Sequence, residues 1–290
     1  MNKIILLFFI LLIGVDDSFS QTKSYFTEES LDCIVLLEKK VDSLYIPHGT
    51  GYLLYDYTKK GTYNVVTCEH VLRNKEIYVC LPLDSIFAKK MREHGQSSID
   101  FFGQEWFLSG NKLRTRYELI PKKTFLTDKL LDIGVFSIKI SNKALENDTI
   151  EVKVAKIKGI PKSMIITSDK VPLGIDVYFT GFPLAIGTEY GLYIKEFTGL
   201  FSDDIPNPLV RKGSVAWKSN NNKEFLLDAL SYGGNSGSPI FTINDLNNKS
   251  YLIGMVLGHL PSEVSDNIGL ARCIWMDDIL RLVEKYDKIK

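Results

Sequence analysis

Charge of one sign is the first thing this 290-residue chain lacks, since 35 Lys and Arg stand against 35 Asp and Glu. A balanced chain presents no field for a polyanion or an anionic membrane surface, so nucleic acid is not expected as a partner. Long apolar runs are scarce too. After Val15 no segment approaches the ~20 consecutive apolar residues that a membrane span needs, and the mature chain is expected to carry no membrane anchor. Cysteine is sparse. Cys33, Cys68, Cys80 and Cys273 form no C-x-x-C pair, and Cys68 and His70 do not have a zinc-ligand spacing, so neither a metal nor an organic cofactor is expected. After export the four would meet an oxidising compartment, where three pairings are open to them. Internal repeats, low-complexity tracts and interdomain linkers are also missing.

What is present begins with a leader. Lys3 precedes the apolar run Ile4 to Val15, and Ser18-Phe19-Ser20 offers small residues for cleavage. Residues 1–20 read as a signal peptide, the mature chain as starting at Gln21, and the protein as secreted or periplasmic. Residues 21–290 are long enough for one large all-β domain. Short runs rich in Val, Ile, Tyr, Phe and Leu recur between turn residues: Cys33–Leu37, Gly51–Tyr57, Tyr63–Thr67, Glu76–Leu81, Ile133–Ile140, Val171–Phe179 and Leu252–Leu257. They read as strands of a sandwich or barrel. Two stretches have helical signals, Asp84–Arg92 and Met276–Tyr286. The second carries Ile279, Leu280, Leu282 and Val283 at helical spacing and is expected to pack on the sheet as a C-terminal helix over about 276–287. Glu105–Leu108 and Lys112–Ile120 make a hairpin within an insertion over about 84–120.

The chemistry concentrates in Gly233-Gly234-Asn235-Ser236-Gly237-Ser238-Pro239, a glycine-dense turn between Phe225–Leu230 and Ile240–Ile243. Such a turn exposes the Ser236 hydroxyl, and the N–H groups of Gly234 and Ser236 can point at one spot. An unactivated serine needs a base, and the base needs an orienting carboxylate. Of His48, His70, His94 and His259, only His70 follows a strongly apolar strand, Val65-Val66-Thr67; His48 and His94 read as solvent-exposed loop residues. Asp132, at the mouth of the strand Ile133–Ile138, is preferred over Asp128, whose Thr-Asp-Lys setting reads as solvated. An α/β-hydrolase reading fails, because it needs G-x-S-x-G and the order Ser, Asp, His.

Three segments carry a family resemblance. Val66-Thr67-Cys68-Glu69-His70-Val71 resembles the histidine motif of chymotrypsin-like serine peptidases, especially the HtrA-type and glutamyl-endopeptidase branches. Leu131-Asp132-Ile133-Gly134-Val135 is similar to their aspartate motif, and Leu227-Asp228-Ala229 through Gly234–Pro239 to their serine motif. The order His, Asp, Ser is also theirs. The resemblance implies two six-stranded antiparallel β-barrels, the first over about 30–155 and the second over about 165–275, with a polypeptide substrate bound between them. It implies a triad of His70, Asp132 and Ser236 and an oxyanion hole of the Gly234 and Ser236 N–H groups; the absence of chain left over for a PDZ domain departs from the HtrA type. It also implies a specificity pocket lined by Leu230, Val256, Gly258 and His259. An apolar Leu230 disfavours basic side chains there, leaving a small or apolar preference, or an acidic one if His259 reaches in. Asn235 stands where trypsin-type zymogens carry an aspartate. The alternative is a protease fold that has lost activity and serves as a peptide-binding module.

Overall fold

Branched and aromatic residues, which fit a pleated half-buried surface, dominate the segments that become strands. The computed structural model describes residues 31, 33–41, 44–55, 62–73, 77–83, 98–101, 104–109, 112–119, 125–139, 159–183, 208–244, 249–260 and 269–289. The first half contains β1 (Ile34–Val41), β2 (Leu44–Tyr55), β3 (Thr62–Thr67), the one-turn helix α1 (Glu69–Leu72), β4 (Ile77–Leu83) and β5 (Ser98–Phe101). It continues with β6 (Gln104–Ser109), β7 (Lys112–Leu119), β8 (Phe125–Asp128) and β9 (Ile133–Lys139). The second half contains β10 (Asp176–Gly181), β11 (Leu209–Lys218), β12 (Glu224–Asp228), β13 (Pro239–Asn244), β14 (Lys249–His259), β15 (Leu270–Trp275) and the C-terminal helix α2 (Met276–Ile289).

The second half closes on itself as a six-stranded barrel in the order β10-β11-β12-β15-β14-β13, all pairs antiparallel. Its interior is filled by Phe179, Val215, Phe225, Leu227, Ile240, Val256 and Trp275, with Phe225 stacked on Trp275 at a centroid separation of 3.8 Å. The first half forms one nine-stranded sheet, β5-β6-β7-β4-β1-β2-β3-β9-β8, where a six-stranded barrel is expected from the resemblance. No pairing closes that sheet among the described residues. The hairpin expected within the insertion exists as β6 and β7, but β7 pairs along β4, so the region extends the sheet. The helix expected over Asp84–Arg92 and the leader both lie outside the described residues.

α2 matches the expected span, running on to Ile289. Its apolar stripe of Met276, Ile279, Leu282 and Val283 joins the core of the first sheet. The Tyr286 hydroxyl accepts from Ser137 N–H of β9 at 3.1 Å, so the helix covers the strand that follows Asp132. Among the described residues no helix is long and apolar enough to cross a membrane. The strand expected over Val171–Phe179 starts only at Asp176. Before it, Ser168–Lys170 forms a 3₁₀ turn and Gly174 has φ 78°, a break that Pro172 and Gly174 impose together. The four cysteines are all buried, and no disulfide joins them.

The barrel's dependence on its stacked pair is measurable. Phe225→Ala is expected to cost about 3–5 kcal/mol and to lower the urea midpoint without changing the slope. A cost below about 1 kcal/mol would mean that the barrel interior is not packed as described.

Candidate active site

The site is assembled from four segments that the two sheets bring to one edge. α1 follows β3 directly, and its first-turn N–H groups have no intrahelical acceptors. Asp132 supplies them from the turn before β9. Its carbonyl accepts from Glu69 N–H at 3.2 Å and its Oδ1 from His70 N–H at 2.9 Å. The other carboxylate oxygen, Oδ2, lies 2.7 Å from His70 Nδ1. One aspartate therefore fixes both the backbone and the ring of the histidine. Asp132 takes φ 55°, a left-handed conformation that aspartate tolerates better than most residues. Burial pushes its carboxyl up, but the hydrogen bonds from the His70 ring and N–H, with the charges of His70 and Arg73, outweigh it and hold the group below its usual range. Asp128 plays a different part, because its Oδ1 accepts from Leu130 and Leu131 N–H at 3.0 and 3.1 Å, shaping the turn that delivers Asp132.

Ser236 stands on the turn between β12 and β13. Asn235 N–H donates to the Tyr232 carbonyl at 3.0 Å, closing a turn whose third residue, Gly234, has φ 91°, a value that requires glycine. Gly237, at φ 90°, passes so close to the Thr50 carbonyl and the Thr67 hydroxyl that any Cβ would collide with them. The N–H groups of Gly234 and Ser236 find no acceptor among the described residues. That leaves two donors free, as an oxyanion hole needs.

The Ser236 hydroxyl does not donate to His70. Its Oγ donates to the Leu257 carbonyl at 3.0 Å. That carbonyl is available because β14 bulges there: Val256 pairs with Cys273 and Gly258 with Arg272, so Leu257 is an extra residue. The Cys68 thiol approaches the same place, donating to the Val256 carbonyl at 3.4 Å with the Leu257 carbonyl 3.9 Å away. Burial, then the charge of Asp132, pushes the Cys68 thiol well up. Cys68, His70 and Asp132 each place a ligand-type atom within 4.8 Å of the others, a grouping hidden in the one-residue spacing of Cys68 and His70.

The residues expected around a specificity pocket separate. Gly258 faces open space on its Cβ side and His259 is exposed, as a rim residue would be. Leu230 is 48% exposed and its carbonyl accepts from Arg211 Nη1 at 3.1 Å, so it forms no buried floor. Val256 points into the barrel interior, in the same core as Ile253, where β14 carries an extra residue opposite β13. His48 is in β2, not a loop, at a bulge where Leu37 pairs with Gly49 and Glu38 with Pro47. Burial, then the charges of Lys39 and His70, lowers its pKa. His94 lies outside the described residues. Sequence reasoning missed Thr50, whose hydroxyl donates to the Gly234 carbonyl at 2.7 Å and accepts from Phe182 N–H at 3.0 Å. The signal was there in its two flanking glycines: a Cβ on Gly49 would strike Val71 of α1.

Compared with known proteins, the chain matches no family model and no curated protein.

The lowered Asp132 carboxyl makes a pH-dependent contribution to stability. It is whole above about pH 4, where the unfolded carboxyl is ionised, and is lost as pH falls through the lower folded value. Asp132→Asn is expected to be less stable than wild type at pH 7 and to show a shallower acid limb in chemical denaturation. Parallel acid limbs in the two proteins would contradict the double grip on His70.

Proposed function

We propose that the chain is a secreted serine endopeptidase that hydrolyses peptide bonds through an acyl-enzyme. The observation that carries this reading is the Asp132 carboxylate gripping His70 through both the ring and the backbone N–H, beside a serine turn with two free N–H donors. An aspartate on Nδ1 leaves Nε2 as the nitrogen that can take a proton. In this mechanism Ser236 leaves the Leu257 carbonyl by a side-chain rotation and donates to His70. His70 takes the proton as Ser236 Oγ attacks the scissile carbonyl, and the Gly234 and Ser236 N–H groups stabilise the oxyanion. His70 returns the proton to the leaving amine, and a water activated by the same ring then releases the acyl group. The groups needed for every step are protein side chains and backbone.

The same reading takes the fold as chymotrypsin-like, near the HtrA-type and glutamyl-endopeptidase branches that the motifs resemble. Six of the nine strands of the first sheet, β4-β1-β2-β3-β9-β8, then correspond to the first barrel, with β5 to β7 as the insertion. Peptide would lie across the open side of Gly258, with His259 at the rim. A second reading, a peptide-binding module without activity, is favoured by one observation alone, the Ser236 hydroxyl resting on Leu257.

A fluorophosphonate probe separates the two, because it reacts only with an activated serine. Labelling is expected in the Gln21-to-Lys290 protein and to be lost in Ser236→Ala and His70→Ala. Peptide turnover in Asp132→Asn should fall by roughly 10⁴-fold through the wrong tautomer, while Asp128→Asn, which keeps the turn's acceptor, changes little. A folded wild-type protein that fails to label is the inactive module.

A further inference from the structure

Three donor types meet beneath the catalytic histidine. The Cys68 thiol, a His70 ring nitrogen and an Asp132 carboxylate oxygen lie within 4.8 Å of one another, although Cys68 stands between β3 and α1 and Asp132 in the turn before β9. Tetrahedral zinc separates sulfur, nitrogen and oxygen ligands by roughly 3.4–3.6 Å, so the three need adjust by only about an ångström to share one ion. The local charge suits a cation. The guanidinium groups whose charge reaches the site each have a carboxylate of their own: Arg73 pairs with Glu69 at 2.6 Å, and Arg272 pairs with both oxygens of Glu224 at 2.6 and 2.9 Å. Asp132 adds a carboxylate to the three donors. Access is open from the solvent side, where the His70 side chain is 38% exposed and that of Asp132 20%. Sulfur and imidazole together select thiophilic and borderline ions over calcium or magnesium.

We propose that Cys68, His70 and Asp132 form a binding site for a thiophilic divalent cation of the zinc class, and that an ion there switches the active site off. Coordination takes the thiol proton to solvent and, at Nδ1 beside Asp132, leaves the neutral ring's proton on Nε2, which then cannot accept the proton of Ser236. It also draws Cys68 away from the Val256 carbonyl. A bound ion therefore removes the base without blocking the cleft. The binding site stands on geometry alone. Only the switching consequence rests on the peptidase reading.

Cadmium serves as the probe, because its bond to a thiolate gives a charge-transfer absorption that needs no activity to read. One cadmium per chain with that absorption is expected in wild type and equally in Ser236→Ala, which keeps all three ligands. His70→Gln should bind at least about tenfold more weakly, and Cys68→Ser should lose the absorption. An affinity unchanged in His70→Gln, read from a cadmium titration, would remove the histidine from the ligand set and overturn the site, as would absence of the absorption in wild type. If Cys68→Ser fails to fold, His70→Gln, whose side chain is partly exposed, decides alone. Zinc should also slow fluorophosphonate labelling of wild type. A protein that binds cadmium as described but never labels would refute the peptidase reading and leave the site standing; one that labels, with zinc having no effect, would refute the switch.

Discussion

Thr50 joins the two sheets at the candidate site. Its N–H donates to the Ser236 carbonyl at 2.9 Å, its hydroxyl to the Gly234 carbonyl at 2.7 Å, and its own carbonyl accepts from the Thr67 hydroxyl at 2.7 Å. Phe182 N–H closes the set on the Thr50 hydroxyl. The residue thus ties the serine turn of the barrel to the strand that ends one residue before α1. A buried polar network of this kind is stable only when each member is satisfied, and each satisfied member restricts the others. The glycines around it are the steric counterpart. Gly181 and Gly237 let two backbones approach Thr50 where a Cβ would not fit.

From that seam the two halves of the site differ in how firmly they are held. His70 is fixed by Asp132 at two points, its own N–H and its ring, and a third bond to the Asp132 carbonyl holds the N–H of Glu69 before it. Ser236 is fixed only through its backbone, and its hydroxyl rests on the carbonyl that the β14 bulge frees. A hydroxyl rotor can exchange one acceptor for another at little cost. A helix turn capped by a half-buried aspartate cannot. The arrangement is therefore a rigid imidazole and a movable hydroxyl, with Cys68 beside the imidazole and near the Leu257 carbonyl that the hydroxyl occupies.

Much of this was legible in the residues. The runs Tyr63–Thr67, Leu252–Leu257 and, from Ile77 on, the one expected to end at Leu81 became strands because their branched side chains admit little else, and Met276–Tyr286 became a helix because its apolar spacing suits one face. His70 and Asp132 were found by their place at strand ends. Less visible were β8, four residues long, and β11, whose Arg-Lys-Gly segment hides its alternation. β15 runs straight into α2 with no turn residue between them. Single-residue bulges were invisible. One at Leu257 freed the carbonyl on which the Ser236 hydroxyl rests, and one falls at His48 within β2. Neither leaves a mark in composition, because a bulge is set by the partner strand. The nine-stranded extent of the first sheet was hidden for the same reason, since the β4–β7 pairing joins segments far apart in sequence.

The central claim is that a serine now resting on Leu257 belongs to the base held by Asp132. The most direct measurement is a crystal structure of the protein after reaction with an organophosphonate. The account predicts phosphorus bonded to Ser236 Oγ, the phosphoryl oxygen accepting from the Gly234 and Ser236 N–H groups, and the Asp132–His70 hydrogen bond retained. Phosphorus on another side chain, or an adduct whose phosphoryl oxygen points away from those two N–H groups, would contradict it.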